Sequence, residues 1–205
     1  MPVISKIRTK ARNFIRGRVQ KWGPAWLKQK QWDQEFADGR WDFIENTSGD
    51  LIYQYLEKYC QKGSLLDLGC GSGNTGCELA ADAYETYVGV DISEVALNKA
   101  RQRSGELQRN GRNQYFRSDI ASYVPNQAYN VILFRESIYY IPEPKITGLL
   151  ERYSRHLKPG GVLIVRWHEK KAGEKIIHLI ESAFKIVEKH IPAADGPVFV
   201  VFNKG

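Results

Sequence analysis

The sequence predicts an α/β protein: a doubly wound, mostly parallel seven-stranded sheet with an N-terminal helical extension. Three observations carry this expectation. From about residue 48 short apolar strands alternate with helical patterns to the end of the chain. Runs such as "SLLDL" and "YNVILF" are apolar almost throughout, as strands covered on both faces must be. The first of these strands also empties into a glycine-rich turn, "LGCGSG", where an open sheet of this kind places its ligand.

The elements follow in order. Residues 3 to 22 space Ile4, Ile7, Ala11, Phe14, Ile15, Val19 and Trp22 at steps of three and four, one apolar stripe on a basic helix ended by Gly23-Pro24. An aromatic segment follows with Trp26, Trp32, Phe36, Trp41 and Phe43, interrupted at Asp38-Gly39. Helices are expected at 50–60, 74–82 and 93–104, the last with Ser93 as its N-cap, then between the fourth and fifth strands up to "HLKPGG", and at 172–182. Strands are expected at 64–68, 86–91, 114–118, 129–134, 161–167, 184–189 and 197–202. Three parts result: a basic amphipathic helix at 1–30, an aromatic lid at 31–48 and the α/β domain at 49–205.

Charge is distributed unevenly. Residues 1–30 hold nine of the 30 basic residues and no acid; removing those nine leaves 21 against 23 acidic residues. The basicity therefore belongs to the extension. Cys60, Cys70 and Cys77 form neither a disulfide framework nor a zinc site, so no metal is expected and a reducing cytoplasm is the simplest compartment. No run has the ~18 apolar residues of a membrane span, and no signal-peptide core is present.

Within the turn, glycines reach positive φ and let a ligand approach the backbone, while the helix opening near Asn74 aims free N–H groups into the crevice. Two registers compete. Gly71-x-Gly73-x-x-Gly76 with Asp91 20 residues after Gly71 fits a dinucleotide fingerprint. Asp67-x-Gly69-x-Gly71-x-Gly73 with Asp91 closing the second strand resembles the first motif of class I S-adenosylmethionine-dependent methyltransferases. Later segments resemble the same family in the same order: "YVGVDIS", "FRSDIA", "YNVILFRESIYYI" and "HLKPGGVLIVRW". The resemblance covers about residues 48–170.

The resemblance implies a Rossmann-like methyltransferase fold with S-adenosyl-L-methionine as cofactor and S-adenosyl-L-homocysteine as product. It implies a loop of Gly69, Cys70, Gly71 and Gly73 beside Asp67, with Asp91 on the ribose hydroxyls next to Ile92. Asp119 would take the adenine amino group, Ile120 would lie near the ring, and backbone acceptors near Gly69 and at Arg135 would hold the ammonium. Cys70 reads as a small residue filling the turn. "EFADGRWDFIE" resembles the N-terminal stretch of some small bacterial methyltransferases, in which this segment folds over the cofactor; Trp41, with Arg40, would then cover the site.

Methyl transfer from a sulfonium relies on alignment and needs a base only where the acceptor must lose a proton. Glu136, just past the fourth strand, and His168, just past the fifth, are the candidate bases; Tyr139 and Tyr140 would wall the acceptor pocket. The bland alternatives are a Glu136 paired with Arg135 and a solvated loop histidine. "FRES" stands where amide- and base-methylating relatives carry an Asn- or Asp-Pro-Pro-Tyr motif, which turns the expectation toward an O or N atom of a small molecule or saccharide, lipid-linked acceptors included. RNA or protein methylation, or cofactor binding without catalysis, are the alternatives. For residues 3–22 three readings stand: contact with the anionic inner face of a membrane, RNA phosphates (disfavoured, for the body has no basic face to continue the track), or a docking or solvated arm.

Overall fold

The computed structural model describes residues 13–168, 170–192 and 196–205. The extension's Ile4, Ile7, Ala11, Lys6, Arg8, Lys10 and Arg12 lie outside these residues. Residues 13–22 are helical (α1), and Gly23–Pro24 separates them from α2 (Ala25–Ala37), which runs across the boundary expected at 30/31. A short 3₁₀ turn, Asp42–Ile44, leads to α3 (Ile52–Cys60), β1 (Ser64–Leu68), α4 (Asn74–Glu78), β2 (Thr86–Asp91), α5 (Glu94–Glu106), β3 (Asn113–Arg117) and β4 (Tyr129–Arg135). A second 3₁₀ turn, Ile138–Tyr140, precedes α6 (Glu143–Ser154), β5 (Leu157–Trp167), α7 (Lys170–Ala183), β6 (Lys185–His190) and β7 (Val198–Asn203).

The sheet has seven strands in the order β3-β2-β1-β4-β5-β7-β6. Strands 1 to 5 are parallel, and β7 pairs antiparallel with both β5 and β6. A dinucleotide fold continues its order with 4-5-6; the reversed β7 between β5 and β6 sets this sheet apart. Strand order switches direction between β1 and β4, and there the crevice opens. Alternate strand residues feed two cores. Leu66, Leu68, Ile132 and Phe134 pack under α6 and α7, and Leu65, Val131, Leu133 and Ile164 pack under α3 and α5. Burying such side chains contributes roughly 1.5–3 kcal/mol each.

The largest departures from the sequence expectation are at α4 and at the junction of α6 with β5. Helix α4 stops at Glu78 rather than 82, because Arg109 donates to the carbonyls of Gly76 and Leu79, and Asn113 also donates to that of Gly76. Helix α6 ends at Ser154, and "LKPGG" is the first part of β5. There Leu157 pairs with Tyr129, the register shifts before Val131, and Gly160 sits at φ 76°. The expected N-cap is present: Ser93 Oγ accepts from Ala96 N at 3.2 Å.

Candidate functional site

At the carboxyl ends of β1 and β4 lies a cleft of about 810 Å³. Its floor is the glycine loop. Gly69 N and Cys70 N donate to Val90 O at 2.8 and 3.1 Å, tying the loop to β2. Gly69 has φ 81°, and a Cβ there would stand 2.5 Å from Ser137 Cβ, so the first glycine lets β1 and the β4 loop close together. Gly71 has φ 53° and faces the Phe36 ring across the cleft. Gly73 differs from the expectation: it does not line the cleft. It begins α4 at φ 80°, and a Cβ there would meet Ala100 Cβ at 2.7 Å.

Asp91 joins the loop to α5. Its Oδ2 accepts from Gly71 N and its Oδ1 from Ser93 N, each at 2.9 Å. Burial pushes its carboxyl up to about 6, against the backbone N–H groups that favour the ion. Asp67, wholly buried at the end of β1, accepts from Tyr87 Oη at 2.8 Å, and burial raises its carboxyl as well. Its Oδ1 has no hydrogen-bond partner, an orphaned acceptor at the cleft floor. Cys70 is buried with its thiol pushed well up by burial, and Gly89 leaves space for its Sγ, so it fills the turn and is no nucleophile.

Asp119 and Ile120 stand at the opposite edge. Asp119 Oδ1 accepts from Ala121 N at 2.9 Å, and the Ile120 carbonyl accepts from Tyr153 Oη at 2.7 Å. The sequence did not signal the partner of Asp119 Oδ2, which is Lys28 Nζ on α2 at 3.0 Å. Helix α2 is held again by Asp33, whose Oδ1 accepts from Ser93 Oγ at 2.7 Å and Val95 N at 3.2 Å. Lys99 donates to Asp42 and Glu45 at 2.7 and 2.9 Å, fixing the segment beyond Trp41.

These ties set an aromatic wall over the cleft. Trp32 meets Tyr140 edge-on at 4.9 Å and Trp41 at 5.7 Å, and Phe36 completes the group. The Trp41 indole donates to the buried Glu35 at 3.2 Å. Trp41 thus lines the cleft, whereas Arg40 does not; its side chain is 47% exposed and points to Glu35.

At the far end, Glu136 sits at φ 54° with its backbone N–H donating to Arg166 O at 2.9 Å. The pairing with Arg135 that the sequence suggested is absent; Arg166 binds Glu136 Oε1 instead, and Tyr139 Oη donates to Oε2 at 3.0 Å. Arg135 turns to Asp50 at 2.8 Å and Tyr53 Oη at 3.1 Å, while Arg166 reaches the same Asp50 oxygen at 2.7 Å. Burial pushes the Tyr53 hydroxyl up to about 12, against Arg135. His168 lies exposed at the rim. Apart from Gly73 and Arg40, every residue expected at the cofactor or acceptor site lines this one cleft. Lys28, Asp50 and Arg166 join it unannounced. A rule that strand ends face the crevice would have found Arg166, one residue before the end of β5; nothing local marks Lys28 or Asp50.

Among the described residues no cluster of three or more metal-binding side chains occurs, and no helix is long and apolar enough to cross a membrane.

Residues 66–163 match the family described as "Methyltransferase domain". The chain is 34% identical over 120 residues to trans-aconitate 2-methyltransferase of Sinorhizobium medicae, covering 57% of this chain and 42% of that protein. It is 26% identical over 137 residues to N-terminal Xaa-Pro-Lys N-methyltransferase 1-B of Xenopus laevis, covering 62% and 60%. The chain spans about half the length of the curated relatives it matches. Among solved structures, the N-methyltransferase NodS of Bradyrhizobium japonicum with S-adenosyl-L-homocysteine superposes at a TM-score of 0.68 and 18% identity, covering 86% of this chain and 97% of that one.

Proposed function

We propose that the protein, whose residues 66–163 match the methyltransferase domain family, transfers a methyl group from S-adenosyl-L-methionine to an O or N atom of a small molecule or saccharide. The observation that carries the reading is the convergence of the glycine loop, Asp91, Asp119 and Glu136 on one aromatic-walled cleft. The residues fit the cofactor. The orphaned Asp67 Oδ1 marks an acceptor-rich floor where an ammonium group would lie, and Gly71, having no Cβ, lets the Phe36 ring close down on the loop. Asp91 keeps lone pairs for two ribose hydroxyls, and Asp119 keeps capacity for an adenine amino group beside Lys28.

When bound, the cofactor supplies a sulfonium-linked methyl group. The chain's own residues do the rest. The wall of Trp32, Phe36 and Trp41 excludes water, and the Gly69–Gly71 backbone orients the donor. In this reading Glu136, which lines the cleft with its carboxylate held by Arg166 and Tyr139, takes a proton from an acceptor hydroxyl or amine. His168 is the alternative base at the rim. Relatives named for trans-aconitate and for an N-terminal amine leave both acceptor atoms within the proposal, and an acceptor presented at an anionic membrane surface is included.

The test is methyl-labelled S-adenosylmethionine with the purified full chain and a fractionated host lysate. Label entering a small-molecule or lipid-extractable fraction supports the reading. Label in RNA or protein would replace the acceptor class. Absence of any S-adenosylhomocysteine binding by calorimetry would remove the cofactor assignment altogether.

A further inference from the structure

We propose that the face formed by α1, the Gly23–Pro24 turn and the start of α2 docks on an anionic lipid bilayer, with a basic pocket behind it receiving lipid phosphate. The inference stands on exposure and charge, independently of the catalytic reading.

Helix α1 is inverted relative to an ordinary surface helix, which turns its apolar side inward. Its buried side is polar. Arg16 donates to both oxygens of Glu35 at 2.5 and 2.7 Å, Gln20 is buried beside them, and Gln31 donates to the Arg16 carbonyl. Its outward side is apolar: Phe14, Ile15 and Trp22 are 67%, 62% and 56% exposed, and Trp26 on the next helix is 67% exposed. Among the described residues of the stripe, Phe14, Ile15 and Trp22 thus face away from the core while Val19 is half-buried, and exposed aromatic surface continues past residue 22 at Trp26. Three exposed large apolar side chains between residues 14 and 22, with a fourth at Trp26, mark an interaction site.

Charge selects the partner. Arg18 and Lys30 are exposed beside these aromatics, and residues 1–30 carry nine cations and no acid. Aromatic and aliphatic side chains flanked by lysine and arginine match the interfacial zone of an anionic bilayer, where rings sit at headgroup depth and cations meet phosphates. Behind Trp22 lies a second pocket of about 280 Å³ with Lys21, Lys28, Lys145 and Arg152 on its walls and no acidic residue among its lining. Lys28 is engaged by Asp119, and Arg152 donates to the Ile120 and Ala121 carbonyls. Among the described residues Lys21 and Lys145 pair with no carboxylate. Trp22 belongs to both the apolar face and the pocket, so a bilayer reached by one presents its phosphates to the other. Lys28 and Ile141 wall this pocket and the large cleft alike, which brings the cleft rim to the membrane surface.

The experiment is co-sedimentation of the full chain with vesicles of phosphatidylcholine alone or mixed with phosphatidylglycerol, with tryptophan emission followed in parallel. Binding at least ~tenfold tighter to the mixed vesicles, with a blue shift and loss at high salt, is expected. Phe14→Ser with Trp22→Ser and Trp26→Ser should abolish binding; Lys21→Glu with Lys145→Glu should remove the preference for anionic lipid. S-adenosylhomocysteine affinity should be unchanged in both, which shows that they fold. Equal sedimentation of the triple variant overturns the proposal, as does binding to a single-stranded RNA oligonucleotide, or to inorganic phosphate, without binding to vesicles. Vesicle binding without S-adenosylhomocysteine binding in the unaltered chain would sink the methyltransferase reading and leave the docking surface standing.

Discussion

Lys28 Nζ lies 3.0 Å from Asp119 Oδ2, a pair with side chains 13% and 14% exposed that ties helix α2 to the loop after β3. The same carboxylate is the one proposed to meet an adenine amino group, so under that proposal helix α2 is fastened to a cofactor contact. Lys28→Ala should speed cofactor release by severalfold, read by stopped-flow displacement of S-adenosylhomocysteine. An unchanged off-rate would mean that Asp33 on Ser93 and Val95 holds the lid alone.

As the proposed ribose ligand, Asp91 should make cofactor affinity depend on pH. Its carboxyl in the free protein is pushed up to about 6 by burial, and ribose hydroxyls donating to it favour the ionised form. Binding therefore releases a proton below about pH 6. Affinity should level off above that value and fall with a slope of at most about one log unit per pH unit below it. For stability the sign is opposite to that of an ordinary paired carboxylate. The folded protein holds the extra proton between 3.8 and about 6, so this group's contribution is fully present below 3.8 and is lost as pH rises through about 6. Asp91→Ala should cost at least ~tenfold in cofactor affinity, one to two charge-assisted hydrogen bonds. Calorimetry across pH on both proteins checks the pair of statements.

Asp50 accepts from two guanidiniums at 2.8 and 2.7 Å, both mostly buried. Asp50→Ala leaves Arg135 without a carboxylate and Arg166 with Glu136 alone. A buried charge without its partner costs roughly 3–5 kcal/mol. The denaturant midpoint should drop accordingly, and a shift below about 1 kcal/mol would show that water replaces the carboxylate.

Glu136→Gln keeps the shape and an acceptor for Tyr139 but cannot take a proton. Turnover with the labelled acceptor fraction should fall by about 10²–10⁴-fold while S-adenosylhomocysteine affinity holds. An unaltered rate would move the proton to His168 or leave alignment as the only source of rate.

The two loop glycines should separate by readout. Gly73→Ala drives a Cβ to 2.7 Å from Ala100 at φ 80°, and should lower the melting temperature with little selective effect on the cofactor. Gly71→Ala meets only the Phe36 ring at 3.5 Å and should lower affinity more than stability. The reverse order would exchange their roles.

The sequence alone determined the alternation of elements, the seven strands, the turn at Gly69–Gly73 and the strand-end acids Asp91 and Asp119. These are local facts: period, positive-φ demand and the end of an apolar run are each written within a few residues. It also determined that α1 is amphipathic. Only the tertiary structure decided which way that helix faces, because the choice depends on Glu35, 19 residues from Arg16, burying the polar side. Only it replaced Arg135 by Arg166 as the partner of Glu136, sent both arginines to Asp50, 85 and 116 positions away, and put Lys28 on Asp119, 91 positions away. Charges pair with whatever the fold brings within 4 Å, and a chain's own periodicity carries no record of which residues those are.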